Sequence, residues 1–425
     1  MPVPTPDELA RRLERALPPR LREALQQAVA CADELHVPCY LVGGPVRDLL
    51  LGRQIEDIDL VLEGDAIAVA ERFAAASGGV LTRHLAFRTA NVALAAPNHT
   101  FHIDFVTARA EDYPEPAALP VVRPSGLTDD LRRRDFTINT FALTLSEPTP
   151  FTLIDKCGGL TDLAAGTIRV LHDASFVDDP TRIVRAARFA ARLGLVIEAH
   201  TSRLITEAAA AGLIEHTSSA RILHELWLTL AEPAPEAVFE LLHELGALQH
   251  LLPELEWTPE LHMLLATARA MAAGDERGLA LLGLLAWSMP STARASLLRR
   301  YALPGDQRRI VTEIDQLIAA LETLTTPNLA PSQIYRLLHG LTGTTRSVGE
   351  LVAPAVARTP FAQYRQTLRN TRPLLTGDDL RALQIAPGPR YRTLLAGLHA
   401  AQLDGQVRTR DEAEQWILER ATLRT

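Results

Sequence analysis

The pattern of apolar and polar positions changes character once along the chain. Leu9, Leu13, Leu17, Leu21 and Leu25 recur at an approximate helical spacing, predicting a helix over the first 35 residues. Cys39-Tyr40-Leu41-Val42 is a short apolar run ending in Gly43-Gly44, the pattern of a strand entering a turn. Ile58-Asp59-Leu60-Val61-Leu62 predicts a second strand, followed by Glu63-Gly64-Asp65 and a helical stretch to Ala76. Asn91–Ala95 and Phe101–Val106 predict a third and a fourth, with Pro97-Asn98 as the turn signal between them. Beyond residue 175 strand signals almost vanish, and Leu, Ala and Arg dominate at helical spacing. The expected architecture is an α/β head followed by a long all-helical remainder. Breaks near Glu232-Pro233, Thr326-Pro327 and Arg372-Pro373 divide the helical part, and no fixed-period repeat is evident.

Composition narrows the class. The chain has 425 residues, 47% hydrophobic and 22% charged, an ordinary balance for a globular soluble protein of roughly two to four domains. The densest apolar run, Leu279–Trp287, falls well short of the ~18 residues of a membrane span. The N-terminus, MPVPTPDELARRLERAL, carries charges where a signal peptide needs an apolar stretch. Cys31, Cys39 and Cys157 form no CxxC pattern and cannot all pair. A cytoplasmic protein with no membrane association is expected. The net charge of −8 argues against a generally basic nucleic-acid coat, but its distribution is uneven. Residues 291–425 carry 18 Arg against 12 Asp and Glu, which leaves −14 for residues 1–290. An acidic front and a basic back suit separate roles, the back being fitted to an anionic partner. Lys156 is the sole lysine; a GC-rich genome explains most of that bias, although arginine also suits bidentate phosphate contacts.

The sharpest local feature is Asp57-Ile58-Asp59, preceded by Gly43-Gly44-Pro45-Val46-Arg47-Asp48. On a strand, residues i and i+2 point to the same side, so the two carboxylates can converge. Such a pair repels unless a cation sits between, and Mg²⁺ is the usual solution where phosphates supply the other oxygens. Asp104 lies within another apolar run, where an unpaired carboxylate is costly. Three carboxylates from neighbouring strands suit two-metal phosphoryl transfer. The Gly43-Gly44 turn permits close backbone approach to phosphates, with Arg47 to complete their neutralisation. An isolated DxD is more often a solvated strand end; the glycine turn upstream and Asp104 downstream shift the balance. The combination resembles the DNA polymerase β-type nucleotidyltransferase superfamily.

Further motifs narrow the resemblance. Leu41–Asp59 (LVGGPVRDLLLGRQIEDID) looks like the first motif of the class II tRNA nucleotidyltransferases, the CCA-adding enzymes and bacterial poly(A) polymerases. Arg133–Asn139 (RRDFTIN), Asp155–Gly159 (DKCGG), Asp178–Arg188 (DDPTRIVRAAR) and Ser218–Leu226 (SSARILHEL) resemble the second to fifth. Near the C-terminus, Leu374–Leu380 (LLTGDDL), Pro387–Pro389 and QLDGQVRTRDEAEQW are similar to the tail of full-length members.

The fourth motif has its own physical logic. Asp178 or Asp179 suits an N-cap and Pro180 the first helical turn. Arg182, Arg185 and Arg188 then fall within about a third of the helix circumference. An isolated arginine stripe is more often a solvated face. Yet a carboxylate and a guanidinium one turn apart can do more: Asp179 can accept from the exocyclic amine of cytosine or adenine while Arg182 donates to the ring nitrogen. Guanine and uracil offer a carbonyl beside an N–H and meet like against like. The resemblance places Asp179 and Arg182 at the base-reading positions, with Arg185 and Arg188 lining the nucleotide site. It also implies that Arg134 and Asp135 lie near the ribose and triphosphate. Asn139 is equally well structural, and Asp155 suits a hinge anchor. Departures are Thr140 for Ala, Ala220 for an acidic residue before Arg221, Phe87-Arg88-Thr89 for Phe-Gly-Thr, and Glu63-Gly64-Asp65, which resembles a branch including A-only enzymes.

The expectation is therefore a polymerase-β-like head (1–157), a helical neck carrying the base-reading helix (158–232), a helical body (233–372) and a tRNA-binding tail (373–425). By that resemblance the chain adds C, C and then A to the tRNA 3′ end from CTP and ATP, releasing pyrophosphate. Asp57 and Asp59 would hold Mg²⁺, Asp104 would assist deprotonation of the 3′-hydroxyl, and Gly43, Gly44 and Arg47 would meet the triphosphate. The basic back half would grip the acceptor and T arms of tRNA, and no protein partner is expected. The alternatives are an A-only or CC-only enzyme or a poly(A) polymerase; a small-molecule nucleotidyltransferase and a non-catalytic RNA-binding protein rank lower.

Overall fold

The computed structural model describes residues 3–97, 99–270 and 274–422, and the chain divides into two compact units, Met1–Pro253 and Glu254–Thr425. Asn98, half of the expected turn signal, lies outside the described residues.

The first unit is built on a seven-stranded sheet. Its strands are β1 (Cys39–Val42), β2 (Ile58–Leu62), β3 (Val80–His84), β4 (Thr89–Ala95) and β5 (Thr100–Thr107); after a separate two-stranded ribbon of β6 (Arg109–Asp112) and β7 (Val121–Pro124) come β8 (Phe141–Thr144) and β9 (Leu153–Asp155). The order across the sheet is β3-β4-β5-β2-β1-β8-β9, antiparallel except for the parallel β2–β5 pair. Alternation along β5 buries Phe101, Ile103 and Phe105 on one face and turns His102 and Asp104 to the other. Register then brings Asp59 of β2 and Asn91 of β4 alongside Asp104 from its two sides. One face of the sheet is core; the opposite face is polar around Asp59 and Asp104 and apolar where Val42, Val61 and Ala142 cluster with Leu127 and Leu131.

Helices cover the core face. The expected first helix is two, α1 (Pro6–Ala16) and α2 (Pro19–Glu34), because Pro18 cannot continue the hydrogen-bond ladder; Leu9, Leu13, Leu17, Leu21 and Leu25 are all buried. α3 (Gly44–Leu50) follows the glycine turn, and α4 (Ala66–Ser77) packs on the sheet with its Phe73 ring 5.5 Å from Phe105. Asp65 caps α4 by accepting from the amides of Ile67 and Ala68, and Gly78 ends it in the left-handed conformation. α5 (Leu127–Arg132) precedes the second motif, and α6 (Gly159–Ala165) follows the third. Three carboxylate-accepted amides, from Cys157, Gly159 and Leu160, fix that turn on Asp155, which fits an anchor. α7 (Ser175–Asp178), α8 (Thr181–Leu193), α9 (Ala199–Ala210), α10 (Leu213–His216) and α11 (Ser219–Ala231) complete the helical part that borders the polar face. The break at Glu232-Pro233 falls inside this first unit.

The second unit is helical from Pro259–Arg269 to Arg410–Thr422. Its last three helices enclose a core of their own, including Leu380, Leu394, Leu398, Val407 and Ile417. Among the described residues no helix is long and apolar enough to cross a membrane.

Gly159 shows how tightly the first unit is closed. A Cβ there would stand 2.4 Å from the Thr137 carbonyl oxygen and 2.8 Å from the Phe141 ring. Gly159→Ala is expected to cost about 1–3 kcal/mol, read as a lower midpoint in urea unfolding; an unchanged midpoint would show that the turn relaxes freely.

Candidate active site

The polar face of the sheet, the glycine turn and α8 surround a cavity of about 970 Å³. Asp57, Asp59 and Asp104 form its floor, Gly43, Gly44 and Arg47 one flank, Arg134 and Asp135 another, and Asp179, Arg182 and Arg185 come from the α8 side. The sequence scattered these residues over more than a hundred positions, and the fold brings them to one space.

The floor is electrostatically strained. Desolvation, followed by the charge of Asp104, raises the Asp59 carboxyl to about 6, against the pull of Arg134 and Arg47. Desolvation also raises Asp57, with Asp104 and Glu56 adding to it and His102 opposing. Asn91 donates to Asp104 Oδ1 at 2.8 Å, and its own Oδ1 lies 3.1 Å from His102 Nδ1. Among the described residues no three His, Cys, Asp or Glu side chains form a ready-made metal cage. This donor set fits a hard cation that takes one or two carboxylates and completes its shell with water and phosphate oxygens.

The flanks are held by a buried polar chain. Arg47 donates to Asn139 Oδ1 at 2.6 Å, Asn139 Nδ2 donates to Asp135 at 3.0 Å, and Asp135 accepts both Nε and NH2 of Arg185 at 2.9 and 2.6 Å. Burial alone would raise the Asp135 carboxyl, but Arg185 and Asn139 outweigh it and hold it at about 2. Asn139 is thus a bridge between two arginines of the cavity. Gly43 has φ +72°, which favours glycine, and a Cβ there would stand 2.7 Å from Arg134 NH1, so a side chain would also displace that guanidinium.

On the α8 side, Asp179 caps the helix by accepting from the amide of Thr181 at 3.0 Å. The same Oδ1 accepts from Arg221 NH2 at 2.6 Å, and Arg221 NH1 reaches the Ala117 carbonyl at 2.9 Å. Arg182 is buried, with NH1 donating to Ser175 Oγ at 2.8 Å and NH2 to the Arg133 carbonyl at 2.9 Å. Phe189, two turns further along α8, lies under the guanidinium groups of Arg47, Arg185 and Arg192 at 5.4–5.8 Å.

Arg188 corrects the expectation for the arginine stripe, since it does not line the cavity. It is buried and donates to Glu225 at 2.6 Å and to Glu232 at 3.0 Å, bolting α8 to α11 and the residue that follows it. Steps of three residues turn each arginine by about 60°, so the stripe that begins at the cavity with Arg182 ends against a neighbouring helix. Conversely, Asn91, His102, Glu111, Tyr113 and Phe189 line the cavity without having been singled out. Period-2 alternation from Asp104 would have found His102; the others depend on pairings that the sequence does not display.

The chain is similar to known proteins in sequence and in fold. Residues 39–169 match the family described as Poly A polymerase head domain, and residues 194–258 that described as probable RNA and SrmB-binding site of polymerase A. The chain is 36% identical to the A-adding tRNA nucleotidyltransferase of Geobacter sulfurreducens over 95% of its own length, and spans about half (48%) of that relative. It is 32% identical to the A-adding tRNA nucleotidyltransferase of Halalkalibacterium halodurans, covering 93% of this chain and 92% of that one. The CC-adding tRNA nucleotidyltransferase of Deinococcus radiodurans is 35% identical, over 88% and 86%. Among solved structures, an apo CCA-adding enzyme superimposes with a TM-score of 0.78 at 30% identity, over 97% of this chain and 98% of that one. A CCA-adding enzyme in complex with ATP gives 0.77 at 30% identity, over 97% and 98%. The fold and site thus define a nucleotidyltransferase. Within that class the chain belongs to the tRNA nucleotidyltransferase family of enzymes.

Two outcomes test the electrostatics. A carboxyl whose folded value lies above its unfolded one (about 3.9) stabilises the fold at low pH, and this contribution is lost as pH rises through about 6. Asp59→Asn should therefore stabilise the metal-free protein by about 1–3 kcal/mol at pH 8 and by less at pH 5, measured by urea unfolding; equal gains at both pH values would contradict the assignment. Arg188→Met should cost about 3–5 kcal/mol of stability while leaving the nucleotide KM of folded protein within about threefold; a large KM change at full stability would return Arg188 to the site.

Proposed function

We propose that this chain transfers nucleotides without a template to the 3′ end of tRNA, adding C, C and then A from CTP and ATP with release of pyrophosphate. The observation that carries this reading is the joint presence, around one cavity, of three carboxylates on the sheet and the Asp179–Arg182 pair on α8. All the contacts described for the Asp179 carboxylate fall on Oδ1, which leaves Oδ2 to accept an exocyclic amine. Arg182, held at NH1 and NH2, retains N–H groups for a ring nitrogen. Cytosine and adenine both satisfy that pair, and guanine and uracil do not.

In this reading Asp57 and Asp59 would hold Mg²⁺, which would supply neutralising charge to the triphosphate and acidify the attacking hydroxyl. Asp104 accepts the proton of the tRNA 3′-hydroxyl, its other oxygen being fixed by Asn91. The 3′-oxygen forms a bond to the α-phosphorus as the bond to the bridging oxygen breaks, and pyrophosphate carries the electron pair away. Arg47, Arg134 and Arg185 counter the phosphate charge, beside the close backbone approach that Gly43 and Gly44 allow. Residues 1–157 serve as head, 158–232 as neck, 233–372 as body and 373–425 as tail, in a cytoplasmic enzyme. The arginine-rich remainder grips the acceptor and T arms through phosphates and shape, so tRNA affinity falls steeply with salt. A second reading, addition of the terminal A alone, is favoured by the names of the Geobacter and Halalkalibacterium relatives and by Glu63-Gly64-Asp65.

Single-nucleotide extension with Mg²⁺ separates the two, using tRNA transcripts that end in the discriminator base, in C, or in CC. Completion of all three to CCA, followed by arrest, is the expected result; extension of the CC-ending transcript alone, by one A, establishes the second reading. Asp57→Asn and Asp59→Asn should each lower incorporation at least about a hundredfold while tRNA binding persists in a filter assay. Near-normal extension by either variant would overturn the metal assignment.

A further inference from the structure

Behind the base-reading pair lies a buried polar network that the chemistry above does not use. Glu111, at the end of β6, is 6% exposed at its side chain. Its Oε1 accepts from Arg109 Nε and NH2 at 3.0 and 2.9 Å and from Arg133 NH1 at 2.9 Å, and its Oε2 accepts from the Tyr113 hydroxyl at 3.0 Å. The remaining edge of the Arg133 guanidinium is taken by Asp130, with Nε at 3.0 Å and NH2 at 2.6 Å. Two carboxylates thus fix the Arg133 side chain, and the Arg133 carbonyl is the atom that accepts from Arg182 NH2.

Glu111, Tyr113, Arg133 and Arg182 border the large cavity on one side and a second hollow of about 250 Å³ on the other. They form a partition between two hollows, and the polar ties fix the directions of its side chains. A base-reading group must sit within about 0.5 Å and 10–20° of its productive geometry. Desolvation and the Glu111 charge both raise the Tyr113 phenol, so its hydrogen stays in place as a donor to that carboxylate.

We propose that Glu111 is a positioning residue for nucleotide selection: it orients Arg182 through Arg133 and sets the Tyr113 wall of the base pocket. The same carboxylate reaches the turn at residues 85–87, because Arg109 also donates to the Phe87 carbonyl at 2.6 Å. The inference rests on the base-reading role of Asp179 and Arg182. Glu111 touches no reacting atom, so its loss should show in the choice of base more than in turnover.

The test is single-turnover extension of the CC-ending tRNA transcript with ATP or GTP by Glu111→Gln, which keeps the side-chain shape and removes the charge. The kcat/KM ratio of ATP over GTP is expected to fall at least tenfold, with kcat for ATP reduced less than the ratio. A purely structural role would lower the active fraction and both nucleotides together, so a ratio within twofold of the parent protein overturns the proposal. Arg182→Ala separates the two levels. If it retains the parent ratio, the base-reading assignment fails; if it loses the ratio and Glu111→Gln keeps it, the Glu111 proposal alone fails. Should Glu111→Gln not fold, Tyr113→Phe removes one hydroxyl from the same network and should lower the ratio about threefold; an unchanged ratio there overturns the proposal as well.

Discussion

Like charges placed side by side by sheet register are the constraint on which the rest of the first unit depends. β2 and β5 run parallel with Asp59 opposite Asp104, so two carboxylates share one patch of the polar face, with Asp57 at the strand entrance. Desolvation, and after it their repulsion, push Asp59 to about 6, and the surroundings answer that strain with positive charge. Arg47 and Arg134 reach the same space from the glycine turn and the second motif, and Arg185 and Arg192 do so from α8. A cavity so arranged is fitted to a polyphosphate and its counter-cation: the cation relieves the repulsion among the carboxylates, and the arginines balance the phosphate charge.

The arginines are held in advance. Arg47 is fixed by Asp48 and Asn139, Arg134 by Asp130, Arg185 by Asp135, and Arg192 by Glu232. Buried ion pairs of this kind add little net stability, since desolvation offsets most of the Coulomb attraction. Their contribution is geometric: each guanidinium has a defined direction before any ligand arrives, so less side-chain entropy is lost on binding. The stacking of three guanidinium groups on Phe189 serves the same end without a hydrogen bond.

Much of this was legible in the sequence because acidic residues interrupt apolar runs. Asp59 and Asp104 are visible as charges inside strands, and the glycine pair marks the turn beside them. The edge strand β3 escaped notice because Val80 is 70% exposed and the strand has no buried face to impose alternation. Arg188 was grouped with Arg182 because spacing along a helix says which residues are neighbours but not what faces them. Glu111, Asp130 and Arg221 look like ordinary surface charges in the sequence, and their partners stand up to 104 positions away. The helical remainder was legible as helix, while the division at Pro253 carries no break strong enough to distinguish it from others nearby.

β5 has a consequence for how such proteins can diverge. From Phe101 to Val106 its residues alternate between the packed core and the lining of the cavity. Insertion or deletion of a single residue there would exchange the two sets, sending phenylalanines into the cavity and aspartate into the core. Length variation is therefore closed to this strand, and change within it is confined to point substitutions. The walls of the cavity outside this strand can change while the carboxylate floor stays in one frame.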